Sequence, residues 1–137
     1  MNALPVRLPP GADLRRALED LAARGGAPSA FVVCGIGSLG DGRLRFAGEP
    51  AEAVVPGPLE IVSLSGTVTA TGAHLHMVVS DASGGVTGGH VGYGNVVRTT
   101  AEILLAALPA WSLSRAVDPA TGYPELVVRP SCGAGNG

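Results

Sequence analysis

Short segments rich in β-branched and apolar residues, each bounded by turn residues, constrain the fold of this chain more than any other feature. Residues 59–68 form one such segment, and residues 73–81 and 86–91 form two more. A Ser-Gly-Gly turn separates the last two, so we expect them to pair as an antiparallel hairpin. Further strands are predicted at residues 5–8, 30–36, 42–47, 111–117 and 126–128.

The segment at residues 30–36 differs from the others because it is almost wholly apolar and includes Cys34. An apolar run without alternation is typical of a strand that is buried on both faces. We therefore expect this strand, and the thiol of Cys34, to lie in the core.

Two helices are predicted among these strands. Asp13 is placed to cap a helix whose apolar residues recur at helical spacing from Leu14 to Ala22. Asn95 is placed to cap a second helix over residues 96–108. Because strands outnumber helices, the predicted fold class is α+β, with a mostly antiparallel sheet and about two helices.

The length of 137 residues is that of one domain, and no long polar or proline-rich stretch divides the chain. We expect a single domain over residues 1–130, followed by a flexible tail over residues 131–137.

The charge content limits the possible partners of the chain. Charged residues make up 15% of the sequence, against about 25% in a typical domain. Part of the apolar surface is therefore expected to be covered in a symmetric homo-oligomer, the alternative being a monomer with an apolar surface. The net charge is −2 and lysine is absent, which argues against strong autonomous binding of DNA.

The sequence carries no cationic leader followed by an apolar run and no run of 18 uncharged apolar residues, so neither secretion nor membrane insertion is expected. The two cysteines form neither a disulfide framework nor a Cys-x-x-Cys pair. A cytoplasmic location is the simplest interpretation.

All three histidines lie within seventeen residues, as His74, His76 and His90. Alternate residues of a strand share a face, so His74 and His76 project together about 7 Å apart. The predicted hairpin brings His90 beside them. Three neutral imidazoles form the protein half of a Zn²⁺ site, or that of another divalent metal, with a position open for water or substrate. The alternative is a metal-free cluster of hydrogen-bonded histidines.

The order of several motifs resembles the plants and prokaryotes conserved (PPC) domain family. The resemblance covers nearly the whole chain and is carried by residues 8–14, 35–38, 57–66, 88–91, 94–97 and 118–126. It implies an α+β subunit that assembles as a homotrimer. Plant members join this domain to AT-hook segments and are labelled DNA-binding, but the Arg-Gly-Arg-Pro core of an AT-hook is absent from this sequence.

The His-x-His pair with a third histidine further on is also similar to the zinc site of acetolactate decarboxylase. That resemblance implies metal-assisted enolisation or decarboxylation of a small oxo- or hydroxy-acid, with charged residues beside the metal. Glu60 and Arg98 are the predicted catalytic residues, and Glu102 is a further candidate. Two functions stay open: a zinc-dependent, lyase-type enzyme acting on a small carboxylate-bearing molecule, and a non-catalytic module that binds DNA or a regulatory partner.

Overall fold

The computed structural model describes residues 1–132, which form ten strands and one helix. The helix α1 spans Leu14–Ala23. The strands are β1 (Asn2–Leu8), β2 (Ser29–Leu39), β3 (Gly42–Arg45), β4 (Glu52–Val55), β5 (Leu59–Thr69), β6 (Gly72–Ser80), β7 (Val86–Val91), β8 (Val97–Ala107), β9 (Trp111–Val117) and β10 (Pro124–Pro130).

Eight strands form one sheet in the order β1-β8-β2-β5-β6-β7-β3-β4, and β9 pairs with β10 in a separate two-stranded sheet. All the pairs are antiparallel. The predicted α+β class with a mostly antiparallel sheet is confirmed. The short strand β4 was not predicted.

The helix α1 covers one face of the large sheet. Asp13 caps it as predicted, since its carboxylate accepts a hydrogen bond from the backbone N–H of Arg16 at 3.0 Å. Leu14, Leu18 and Ala22 are buried along one side of the helix and join the core. They pack with buried residues of the sheet, and within residues 1–132 no helix covers the opposite face.

The predicted second helix is wrong, because residues 97–107 form the strand β8, which lies between β1 and β2 in the large sheet. Val97, Ala101, Ile103 and Leu105 are buried there, and the last three alternate at the period of a strand. The apolar spacing fits a helix as well, but pairing with both β1 and β2 determines the outcome. The predicted helix cap, Asn95, is instead a buried residue of a loop.

The amide of Asn95 ties this loop to β3. Its oxygen accepts a hydrogen bond from the backbone N–H of Arg43 at 2.8 Å, and its nitrogen donates to the carbonyl oxygens of Arg43 and Gly92, both at 2.9 Å. Because the amide is fully buried, each of these bonds satisfies a group that water cannot reach.

The expectation that residues 30–36 are buried on both faces is also wrong. Phe31, Val33 and Ile36 are 42%, 58% and 56% exposed on the sheet face that α1 does not cover. Cys34 is exposed as well. An apolar strand face that lies outside the core of one chain has the same composition as a buried face, so the sequence does not distinguish them.

The β9–β10 hairpin follows the large sheet and is bonded to it through its backbone. The N–H of Leu113 donates to the hydroxyl of Ser29 at 2.9 Å, and the N–H of Arg115 donates to the hydroxyl of Thr71 at 2.9 Å. The predicted tail begins at Ser131, whose N–H donates a hydrogen bond to the carbonyl of Ala110 at 2.9 Å. Residues 133–137 of this tail lie outside the described part of the chain. Within residues 1–132, no helix has the length and apolar character that crossing a membrane requires.

Candidate metal centre

The three histidines lie on the predicted hairpin, which the structure confirms as β6 and β7. His74 and His76 alternate on β6 with buried residues that point toward the core. His90 on β7 lies directly opposite His76 in the register of the pair. Directly opposed residues of antiparallel strands project to the same face, so all three imidazoles meet on the face that α1 does not cover.

The separations of the ring nitrogens suit a single metal ion. The Nε2 atoms of His74 and His76 are 3.1 Å apart, and one ligand nitrogen from each of the three rings lies within 4.8 Å of the others. Two nitrogens that each bind zinc at about 2.0–2.1 Å are about 3.3 Å apart in a tetrahedral site. The His74–His76 pair is close to this spacing, and His90 lies near enough for the three rings together to hold one divalent cation.

Burial and neighbouring charges keep two of the rings neutral. Burial, followed by the proximity of His74 and Arg45, lowers the pKa of His90 to about 4. Burial, followed by the charge of Arg115, lowers the pKa of His74 below its ordinary value. Neutral imidazole is the form that binds metals. Among the described residues, moreover, the buried Nδ1 of His90 has no hydrogen-bond partner. The donor set therefore fits a metal.

Gly66 on β5 positions the histidine-bearing strand. It lies opposite Leu75, between the Ser65–His76 and Thr67–His74 pairs. Its φ of +139° lies in a region that favours glycine. A Cβ at this position would overlap the carbonyl oxygen of His74 and lie 2.9 Å from the Cα of Leu75. Only glycine permits β5 and β6 to approach this closely beneath the imidazoles.

The β9–β10 hairpin places a cation and a carboxylate beside the histidines. Arg115 and Glu125 line an open cavity of about 260 Å³ together with His74 and His76. A guanidinium nitrogen of Arg115, Nη1, lies 3.5 Å from Nδ1 of His74. Sequence reasoning did not identify these two residues. The available signal was Arg115 itself, a cation that shares its strand face with Trp111 and Leu113.

The predicted catalytic residues lie elsewhere in the chain. Glu60, at the start of β5, is exposed and lines a second depression that Glu102 also lines. Arg98 is exposed on β8 rather than on the helix from which its position was inferred. Neither Glu60 nor Arg98 lines the cavity that contains His74 and His76. Their catalytic role stays a prediction.

The fold and the histidine cluster together define a small α+β sheet domain with a candidate three-histidine metal centre. A model of the Plants and Prokaryotes Conserved (PCC) domain matches residues 1–109. The chain therefore belongs to the PCC (also called PPC) domain family, as the sequence motifs predicted.

One relative places the domain within a much longer protein. "Bifunctional protein GlmU" from Synechococcus sp. (strain JA-2-3B'a(2-13)) is 44% identical over 133 residues, which cover 97% of this chain and 21% of that protein. The chain thus spans about a fifth of the length of this relative. A domain of this type can therefore be one part of a larger polypeptide.

Three solved structures share the fold over most of their length. A hypothetical protein from Salmonella enterica has a TM-score of 0.89 and 37% identity, with 94% of each chain covered. A metal-containing protein from Archaeoglobus fulgidus has a TM-score of 0.79 and 25% identity, covering 93% of this chain and 94% of that one. A protein from Bacteroides thetaiotaomicron, whose description proposes DNA binding, has a TM-score of 0.81 and 22% identity, covering 92% of this chain and 91% of that one.

Proposed function

We propose that His74, His76 and His90 hold one divalent metal ion, zinc in the first instance, and that the site acts on a small oxo- or hydroxy-acid. The observation that carries this proposal is the convergence of three ring nitrogens within 4.8 Å on one sheet face. A relative described as metal-containing supports it. Three protein ligands leave a coordination position open, which is the arrangement of catalytic rather than structural zinc.

Different residues of the chain would bind the metal and the substrate at such a site. The three imidazoles fix the ion, while the hairpin residues Arg115 and Glu125 face the same cavity and can orient a charged substrate. When bound, the metal supplies Lewis acidity, which polarises a carbonyl or hydroxyl oxygen or lowers the pKa of bound water. Glu60 and Arg98 stay candidate catalytic residues, to be compared with Arg115 by substitution.

Assembly as a homotrimer is part of the proposal. Phe31, Val33, Ile36 and Val62 are between 42% and 58% exposed on or beside the centre of the uncovered sheet face. An apolar surface of this kind on a chain with few charges marks a contact surface between proteins. Sedimentation equilibrium should give a mass about three times the 13.6 kDa of one chain. A mass of one chain at all concentrations would contradict the trimer.

The enzymatic part is tested by turnover. Zinc-loaded and chelator-treated protein should be incubated with a panel of 2-oxo- and 2-hydroxy-acids, while loss of substrate and release of CO₂ are followed. Activity that depends on zinc and is lost in His76→Ala supports the proposal. Ser80→Ala is a matched control, because Ser80 lies on the same strand face, four residues from His76. Activity that survives in His76→Ala would contradict a role of this site.

Binding of DNA as an assembled module is the second candidate function. Support comes from the description of one solved relative, whose 22% identity shows the fold alone, and the net charge of −2 opposes it. Retention on heparin with steep release by salt would favour nucleic-acid binding, because counterions compete with phosphate contacts. Passage through the column without retention is the result expected from the proposed metal site.

A further inference from the structure

Arg115 has bonding capacity that the protein does not use. Its Nη2 donates to the hydroxyl of Thr67, while its Nε is buried and has no hydrogen-bond partner among the described residues. A guanidinium carries five N–H donors in a planar fork that matches a carboxylate. The Nε–H is buried away from a ligand in this conformation, but each terminal nitrogen carries a second N–H with which Arg115 can hold a ligand beside the histidines.

The contact between Arg115 and His74 also leaves room for a hydrogen-bond acceptor from a ligand. Nε2 of His74 faces His76, while its Nδ1 faces the guanidinium at 3.5 Å. If His74 binds metal through Nε2, its Nδ1 carries the proton of the neutral ring. Two N–H donors then lie close together, and an anionic oxygen placed beside this pair, rather than between the two nitrogens, would accept hydrogen bonds from both.

No carboxylate of the described chain neutralises Arg115 at contact distance. Within residues 1–132, the one ion pair between side chains joins Arg15 and Glu19 on the helix and does not involve Arg115. Glu125 lines the cavity, and its Oε1 accepts a hydrogen bond from the hydroxyl of Thr121 at 3.0 Å. Because Glu125 already contributes a negative charge to the cavity, a singly charged carboxylate suits the site better than a dianionic phosphate.

We propose that Arg115 and the three-histidine centre together form a subsite for a small carboxylate, in which the guanidinium holds the carboxylate group and the metal faces the neighbouring oxygen. This inference rests on the proposed function and names the residue that selects its substrates. Arg115 lies beyond residue 109, where the match to the family model ends. In this proposal the β9–β10 hairpin supplies the residue that selects the substrate, while the large sheet supplies the metal ligands.

Glycolate and its neutral isostere glycolamide test this subsite, because they differ in charge but share the hydroxyl oxygen. Zinc content is measured first, and both ligands are then titrated calorimetrically into the zinc-loaded protein. The wild type should prefer glycolate. Arg115→Gln should keep its zinc and bind glycolate about 10- to 100-fold more weakly, the range expected for a lost charge-assisted pair. Its affinity for glycolamide should change by less than about twofold, since an uncharged ligand forms no ion pair with Arg115.

Arg129→Gln is the matched control, because Arg129 is exposed on the same hairpin, and it should bind glycolate as the wild type does. Arg115→Lys keeps the charge without the fork and should retain a reduced preference for glycolate. Equal affinity of the wild type for the two ligands, or unchanged glycolate affinity in Arg115→Gln, would overturn the subsite while leaving the metal centre intact. Absence of zinc uptake by the wild type would overturn the proposed function and the subsite together, before any ligand is added.

Discussion

Replacing Gly66 with alanine tests how the sheet positions the histidines. Two costs are expected. The φ of +139° is accessible to glycine and strained for alanine, which costs about 1–3 kcal/mol. The new methyl group would also overlap the His74 carbonyl, and overpacking of this kind costs about 1–3 kcal/mol more. The free energy of unfolding should therefore fall by about 2–6 kcal/mol, a large part of the stability of a typical domain.

Gly72→Ala separates the two costs. Gly72 has a similar φ of +136°, but a Cβ there would meet no atom within 4 Å. The loss of stability in Gly72→Ala should therefore come from the strained φ alone. Urea unfolding of both variants and the wild type, followed by the fluorescence of Trp111 at one protein concentration, gives the comparison.

The difference between the two variants should be about 1–3 kcal/mol, with Gly66→Ala the less stable. Gly66→Ala should also bind zinc more weakly than the wild type, because β6 must move away from β5 to accommodate the methyl group. Equal losses of stability in the two variants would refute the argument that the close approach of these strands requires glycine.

Three further predictions concern other parts of the fold. Asn95→Ala should lower the free energy of unfolding by about 2–4 kcal/mol, measured by urea titration, because it removes the partner of the Arg43 backbone N–H and of the buried Gly92 carbonyl. A loss below about 1 kcal/mol would contradict this. Burial opposes ionisation of Glu19, but hydrogen bonds, first from Tyr93, outweigh it and lower its pKa. Its stabilising effect should be present above about pH 4.5 and disappear as the pH falls through the lowered pKa, so Glu19→Gln should flatten the dependence of stability on pH in that range. If the uncovered sheet face forms the trimer, Val33→Glu should reduce the sedimentation mass to that of one chain, and an unchanged mass would place the contact elsewhere.

Local patterns were sufficient to predict the hairpin that carries the histidines. The turn between β6 and β7 is short, and alternation along β6 determines which side chains share a face. The relation between His74, His76 and His90 therefore depends on neighbouring residues alone. The capped helix α1 was predictable for the same reason.

Long-range pairing accounts for the second helix, which was predicted wrongly. Residues 97–107 carry apolar spacing that fits a helix or a strand, and only insertion between β1 and β2 settles which forms. Arg115 illustrates the same limit within the site. It lies 41 residues from His74 in sequence, and the two meet because the β9–β10 hairpin is bonded to Ser29 and Thr71. The strand pattern of residues 111–117 predicts the face on which Arg115 lies, but not that this face meets His74.

Elemental analysis of gently purified protein, beside a His74→Ala/His76→Ala double variant and without added chelator, tests the metal centre most directly. We predict close to one zinc per chain in the wild type and none in the variant. A wild-type protein that carries no metal and takes up none on titration with Zn²⁺ would contradict the metal centre, and binding of DNA or a regulatory partner would then be the function to pursue.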